Sequence, residues 1–111
     1  RASFAQRVAE DMRALGADIR TPVVAPTLAE ALQGAELVVE NAPESVALKQ
    51  QLLADIQQAA PSQVLVVSST SSLKHSDITK GAPAPERIII AHPFNPPHLV
   101  PLVELYGPVL S

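Results

Sequence analysis

"ELVVENAPESVALKQQLLADIQQAAPSQVLVVSS", residues 36–69, decides the fold. Its first run, "ELVVE" (36–40), is short and rich in β-branched residues, which suit a pleated, packed surface. "NAPES" interrupts the run. Pro43 suits a first helical turn, where a missing N–H costs nothing, and Glu44 suits the positive end of a helix dipole. Leu48, Leu52, Leu53 and Ile56 then recur at helical spacing, and the predicted helix ends before Pro61. "QVLVVSS" (63–69) is a second strand run. Strand, helix and strand within about thirty residues form a βαβ unit. Both strand runs are continuously apolar rather than alternating, which predicts a sheet covered on both faces.

The neighbouring segments extend this unit. Upstream, Phe4, Val8, Met12 and Leu15 follow helical spacing, and "IRTPVVAP" (19–26) carries too many prolines to pair as a strand. Thr27 is placed to cap a short helix, "LAEALQ", closed by Gly34. Downstream, "STSSLKHSDITKG" reads as a loop and a short helix, "RIIIA" (87–91) as a third strand and "PLVEL" (101–105) as a fourth. The class is α/β with a parallel sheet.

Composition narrows the function. The chain has 111 residues, enough for one small domain, and 47% of them are hydrophobic while only 3% are aromatic, so its core is aliphatic. A net charge of −3 gives no electrostatic footprint for nucleic acid, and one Tyr, two Phe and no Trp leave little to stack bases on. No apolar run is long enough for a membrane helix, and no signal peptide is visible. Cysteine is absent, which removes thiolate and disulfide chemistry and fits a reducing compartment. The chain starts at Arg1 inside a helical pattern, without an initiator Met, and stops at Ser111 just after "GPVL". It reads as a fragment.

Ligands of open α/β sheets bind outside the carboxyl ends of the strands. Three groups fall there: Glu44 after the first strand, the hydroxyl cluster Ser68 to Ser72 after the second, and His92 after the third. Each also has a structural reading. Glu44 can serve the helix N-terminus alone, a serine of the cluster can cap the next helix, and Lys49 can be a solvated helix residue. His75 and His98 read as exposed and inert, and Pro93, Pro96 and Pro97 as a strand stop and a stiff turn. His92 and Glu104 resist that treatment. A histidine at the end of a buried strand needs a partner, and a carboxylate inside "PLVEL" is costly to bury alone. A loop of about nine residues lets Glu104 fold back and accept an imidazole N–H, which fixes the tautomer and leaves the other nitrogen to exchange a proton. A structural pair would have the same spacing.

"ENAPESVALK", "SSTSSL" and "HPFNPPHLVPLVEL", in this order, resemble the NAD-binding domain of the L-3-hydroxyacyl-CoA dehydrogenase family. That family includes lambda-crystallin-like L-gulonate 3-dehydrogenases and carnitine dehydrogenases. The resemblance runs from about Leu28 to Tyr106. It implies a Rossmann-like doubly wound parallel sheet, incomplete because the first βαβ unit and its Gly-rich loop are missing. Residues 1–111 would then be the C-terminal part of an NAD-binding domain, without the family's helical dimerisation domain. It also implies NAD as cofactor, His92 as catalytic base, Glu104 as the acid that orients it, and Ser71 and Asn95 near substrate and cofactor. Glu44 and Lys49 match cofactor contacts. The implied reaction is oxidation of an L-3-hydroxyacyl-CoA to the 3-oxo compound, as in fatty-acid β-oxidation. The alternatives are L-gulonate or L-carnitine oxidation, to which Ser69 and "NPPH…PLVEL" are closer, since acyl-CoA members carry Asn where Ser69 stands. A crystallin-like protein that keeps the fold without catalysis, and a polyproline II ligand made by "PFNPPHLVP", are further readings. The resemblance implies a homodimer acting on a small molecule in the cytoplasm, with mitochondrion and peroxisome left open, and no nucleic-acid or membrane partner. The piece alone is expected to be inactive.

Overall fold

The computed structural model describes residues 10–18, 22–97 and 99–108. By its contacts the chain divides into two units, Arg1–Ala31 and Leu32–Ser111, each described by itself. In the first unit residues 10–14 are helical, and the earlier part of the expected helix, with Phe4 and Val8, lies outside the described residues. Thr27 caps helix α1 (Leu28–Leu32) as its sequence predicts: its Oγ1 accepts from the Glu30 amide at 3.3 Å and donates to the Glu30 carboxylate at 2.9 Å. Gly34, at φ +72°, turns the chain out of that helix, a conformation in which any Cβ is strained.

The second unit is a four-stranded sheet in the order β1 (Leu37–Glu40), β2 (Leu65–Ser68), β3 (Ile88–Pro93), β4 (Val103–Tyr106). β1, β2 and β3 are parallel, and β4 is antiparallel to β3. The last strand departs from an all-parallel expectation for a reason of length. The described residues between 94 and 102 hold no crossover helix, and a parallel return needs a dozen or more residues. The chain therefore turns back as a hairpin, closed by the Phe94 amide on the Leu102 carbonyl at 3.0 Å.

Helix α2 (Val46–Ala59) joins β1 to β2. Ser45, not Pro43, begins it: the Ser45 hydroxyl accepts from the Leu48 amide, and Pro43 and Glu44 precede the cap. Lys49, Leu53 and Ile56 are buried while Leu48 is exposed, so the inward stripe is rotated from the one the leucines suggest. Helix α3 (His75–Ile78) packs against α2, with the Gln50 amide donating to the Asp77 carbonyl at 2.6 Å. The core is aliphatic, built on Leu53, Ile56, Val66, Ile78 and Ile88.

Strand register sorts the sheet into two faces. Val38 and Glu40 align with Val66 and Ser68, then with Ile88 and Ile90, and His92 with Glu104 continues the row beyond Ile90. Lys49 of α2 bonds to Glu40, so this is the helix-covered face. The other face shows Leu37, Val39, Leu65, Val103 and Leu105 exposed, so the expectation of cover on both faces is not met among the described residues. Gly107, just after β4, lies against Ile89 of β3. A Cβ there would lie 2.8 Å from Ile89 Cγ2. No helix among the described residues is long and apolar enough to cross a membrane.

Candidate active site

The carboxyl ends of β1, β2 and β3 carry two separate constellations. The first surrounds Glu40, the last residue of β1, which is 2% exposed. Its carboxylate accepts from Lys49 Nζ at 2.8 and 3.0 Å, from Ser68 Oγ at 2.6 Å, and from the Ala42 amide. Lys49 Nζ also donates to the Ala42 carbonyl at 2.8 Å and lies 3.4 Å from Glu44 Oε1. Glu44 in turn accepts from Thr70 Oγ1 at 2.7 Å and Ser72 Oγ at 3.0 Å. The Thr70 bond, with lesser help from Ser72 and the Lys49 ammonium, outweighs the opposing effect of burial and holds the Glu44 carboxyl below the ordinary 4.5. Two acids, one lysine and three hydroxyls thus link β1, α2 and the loop after β2.

The second constellation is the β3–β4 hairpin. His92 is half-buried on β3 and Glu104 exposed on β4, directly opposite in the antiparallel register. Cross-strand neighbours have Cβ atoms about 4.5–5.5 Å apart, within reach of a carboxylate and a ring. The two side chains do not hydrogen-bond in this structure. The ring contact of His92 is Phe94, edge-on with centroids 5.9 Å apart. Ser71 and Asn95 are exposed in the loops that follow β2 and β3. The structure therefore brings Glu44, Lys49 and the serine loop together, and His92 with Glu104 by register. It places Ser71 and Asn95 at the same end of the sheet without bonding them to His92.

Two structural readings need correction. Lys49 is not a solvated helix residue; it is fully buried because Glu40 supplies a counter-charge across α2 and β1. His75 is not exposed: it is buried, with Nε2 2.7 Å from the Ile88 carbonyl and its ring edge-on to Tyr106 at 6.3 Å. A carbonyl only accepts, so that nitrogen carries the proton. His98 lies outside the described residues. Glu40 escaped the sequence reading, although parity places it on the inward face with Val38, where an acid must find a partner. Among the described residues no buried side-chain polar atom lacks a hydrogen bond, and no cluster fit to hold a metal is present. A recess lined by Gln57, Val64, Val66, Pro83 and Arg87 lies at the opposite, amino ends of the strands and shares none of these groups.

Residues 3–108 match the family described as "3-hydroxyacyl-CoA dehydrogenase, NAD binding domain". L-carnitine dehydrogenase of Nocardiopsis dassonvillei is 49% identical over 92 residues, covering 83% of this chain and 28% of that protein. The enzyme of the same name from Bacillus cereus is 49% identical over 80 residues, covering 72% and 24%. The chain thus spans roughly a quarter of the length of these relatives. Among solved structures, 3-hydroxybutyryl-CoA dehydrogenase from Escherichia coli superposes with a TM-score of 0.71 at 28% identity, covering 93% of this chain and 23% of the other. An NAD+-dependent 5-formyl-3-hydroxy-2-methylpyridine 4-carboxylic acid 5-dehydrogenase gives 0.77 at 28% identity, covering 96% and 36%.

Proposed function

Because the chain belongs to the 3-hydroxyacyl-CoA dehydrogenase family, in its NAD-binding domain, we propose that the protein oxidises the secondary alcohol of a small 3-hydroxy acid. L-carnitine is favoured over a CoA ester. The observation that carries this choice is the 49% identity to an L-carnitine dehydrogenase, against 28% to a 3-hydroxybutyryl-CoA dehydrogenase. Ser69, where the acyl-CoA members have Asn, points the same way. The homodimer belongs to the same proposal.

The side chains present fit the ribose and nicotinamide half of NAD. One Glu44 oxygen is taken by Thr70 and Ser72 and the other lies 3.4 Å from Lys49 Nζ, and with the side chain 40% exposed the carboxylate has lone pairs left to accept from a hydroxyl. Ser71 and Asn95 add exposed polar groups at the same end of the sheet. When bound, NAD supplies the acceptor for the hydride.

His92 takes the hydroxyl proton on one imidazole nitrogen. Glu104, opposite it, rotates to accept the N–H of the other nitrogen and stabilises the cation that forms. Phe94 limits the tilt of the ring. Ser71 and Asn95 donate to the substrate oxygen and hold it against His92. In the reverse direction His92 returns the proton.

The test is NADH formation by the intact protein with L-carnitine, L-gulonate and L-3-hydroxybutyryl-CoA, beside a His92→Gln variant. Turnover is expected with L-carnitine, abolished in the variant. A higher kcat/KM with the CoA ester would overturn the substrate choice and retain the dehydrogenase.

A further inference from the structure

We infer that Glu40, which contacts neither substrate nor cofactor, is the positioning residue of the cofactor site, setting the place of Glu44 through Lys49 and the 41–44 loop. The inference rests on the reading of this sheet end as an NAD site.

An ammonium has three N–H donors. Those of Lys49 meet acceptors of the chain itself: both Glu40 oxygens, the Ala42 carbonyl and, more distantly, Glu44. Lys49 is fully buried, and in this arrangement its donors are spent within the chain. Among the charged members of the network, Glu44 is the one whose side chain reaches solvent, 40% exposed. The charge of the network therefore meets a ligand through that carboxylate.

Glu40 governs the carboxylate by three routes. It neutralises Lys49, which leaves the ammonium only a long contact with Glu44 rather than a close one. It holds the Ala42 amide while Lys49 holds the Ala42 carbonyl, so one peptide segment of the loop leading to Glu44 is gripped at both ends. It accepts from Ser68 Oγ, and Ser68 begins the segment whose Thr70 and Ser72 hydroxyls bond to Glu44. The Thr70 amide also donates to Ser68 Oγ at 3.4 Å, so the serine transmits the anchor from Glu40 into the loop.

Without the Glu40 charge, the buried ammonium must satisfy itself elsewhere. Glu44 is the nearest carboxylate and is drawn inward, away from the ligand. Proton transfer at His92 is served by a different pair of strands, β3 and β4. The consequence is weighted toward the cofactor: its affinity falls, while the His92–Glu104 pair stays in place.

The experiment is calorimetric titration of NAD+ and steady-state kinetics on the intact protein, with Glu40→Gln and the paired variant Glu40→Met/Lys49→Met. Displacing Glu44 costs the cofactor a hydrogen bond to a charged group, which predicts an NAD KM about tenfold or more above wild type, with kcat at saturating NAD within about threefold. The paired variant removes both charges together, which keeps the fold where the single variant loses it, and it shows the same split because Glu44 has lost its anchor. Thermal melts identify which variant is folded. A role in stability alone would lower the melting temperature and leave KM unchanged. A folded variant with wild-type KM for NAD, beside a wild type that binds NAD, would overturn this inference alone. Absence of NAD binding by the wild type would overturn the reading beneath it as well.

Discussion

Glu40 and Glu104 stand on the same face of one sheet, on its two outer strands, and live in opposite conditions. Glu40 is 2% exposed and accepts from an ammonium, a hydroxyl and an amide. Glu104 is exposed, and its cross-strand neighbour His92 is not bonded to it. A buried carboxylate is tolerated only when its lone pairs are filled, and it then fixes the groups that fill them. An exposed carboxylate beside a histidine is free to rotate. That suits a group that must stabilise a charge that comes and goes in each turnover. On the proposed function, the cofactor half of the site is built rigid and the proton-transfer half is left adjustable.

The largest expected effect breaks this comparison in the chemistry. His92→Gln lowers kcat/KM by about 10²–10⁴, the usual contribution of a general base, with little change in stability on urea unfolding. The next breaks it in stability. Glu40→Ala strands the Lys49 ammonium and costs about 3–5 kcal/mol, whereas Glu104→Ala changes unfolding by less than about 0.5 kcal/mol. Equal costs in denaturant would show that the two acids are not in different environments.

A steric version of the contrast lies at Gly107. Gly107→Ala forces a Cβ against Ile89 Cγ2 and costs about 1–3 kcal/mol by shifting β4 on β3, which also displaces Glu104 from His92. Unfolding and kcat should both suffer there.

The smallest effect sharpens the picture of Glu44. Its lowered pKa means that it contributes stability above the unfolded value, a contribution lost as pH falls through the folded value, below 4.5. Thr70→Val removes the largest cause. Carboxyl-detected NMR should then find the Glu44 midpoint moved up toward 4.5, and its share of the acid-induced loss of stability should shrink.

The βαβ unit was legible because helical spacing and β-branched runs are local patterns, and the Thr27 cap for the same reason. Strand direction in the last hairpin follows from loop length, a signal present in residues 94–102 and outvoted by the parallel pattern before it. The candidate site was legible where a residue was odd for its context, as His92 and Glu104 were. Lys49 and Glu40 were not odd singly. A lysine on a helix and a glutamate at a strand end are ordinary, and only their meeting across α2 and β1 makes each of them buried. His75 was hidden likewise, since "KHSDITK" is polar except for Ile78 and the Ile88 carbonyl that holds the ring is thirteen residues away. Pairing across elements is the part of the fold that no local pattern carries.

Steady-state kinetics of Glu44→Gln beside Glu104→Gln, in the intact protein with L-carnitine and NAD+, test the division most directly. The account predicts a crossed result: a raised KM for NAD with kcat nearly kept in the first, and a lowered kcat with the KM for NAD kept in the second. Both variants moving the same constant would contradict it.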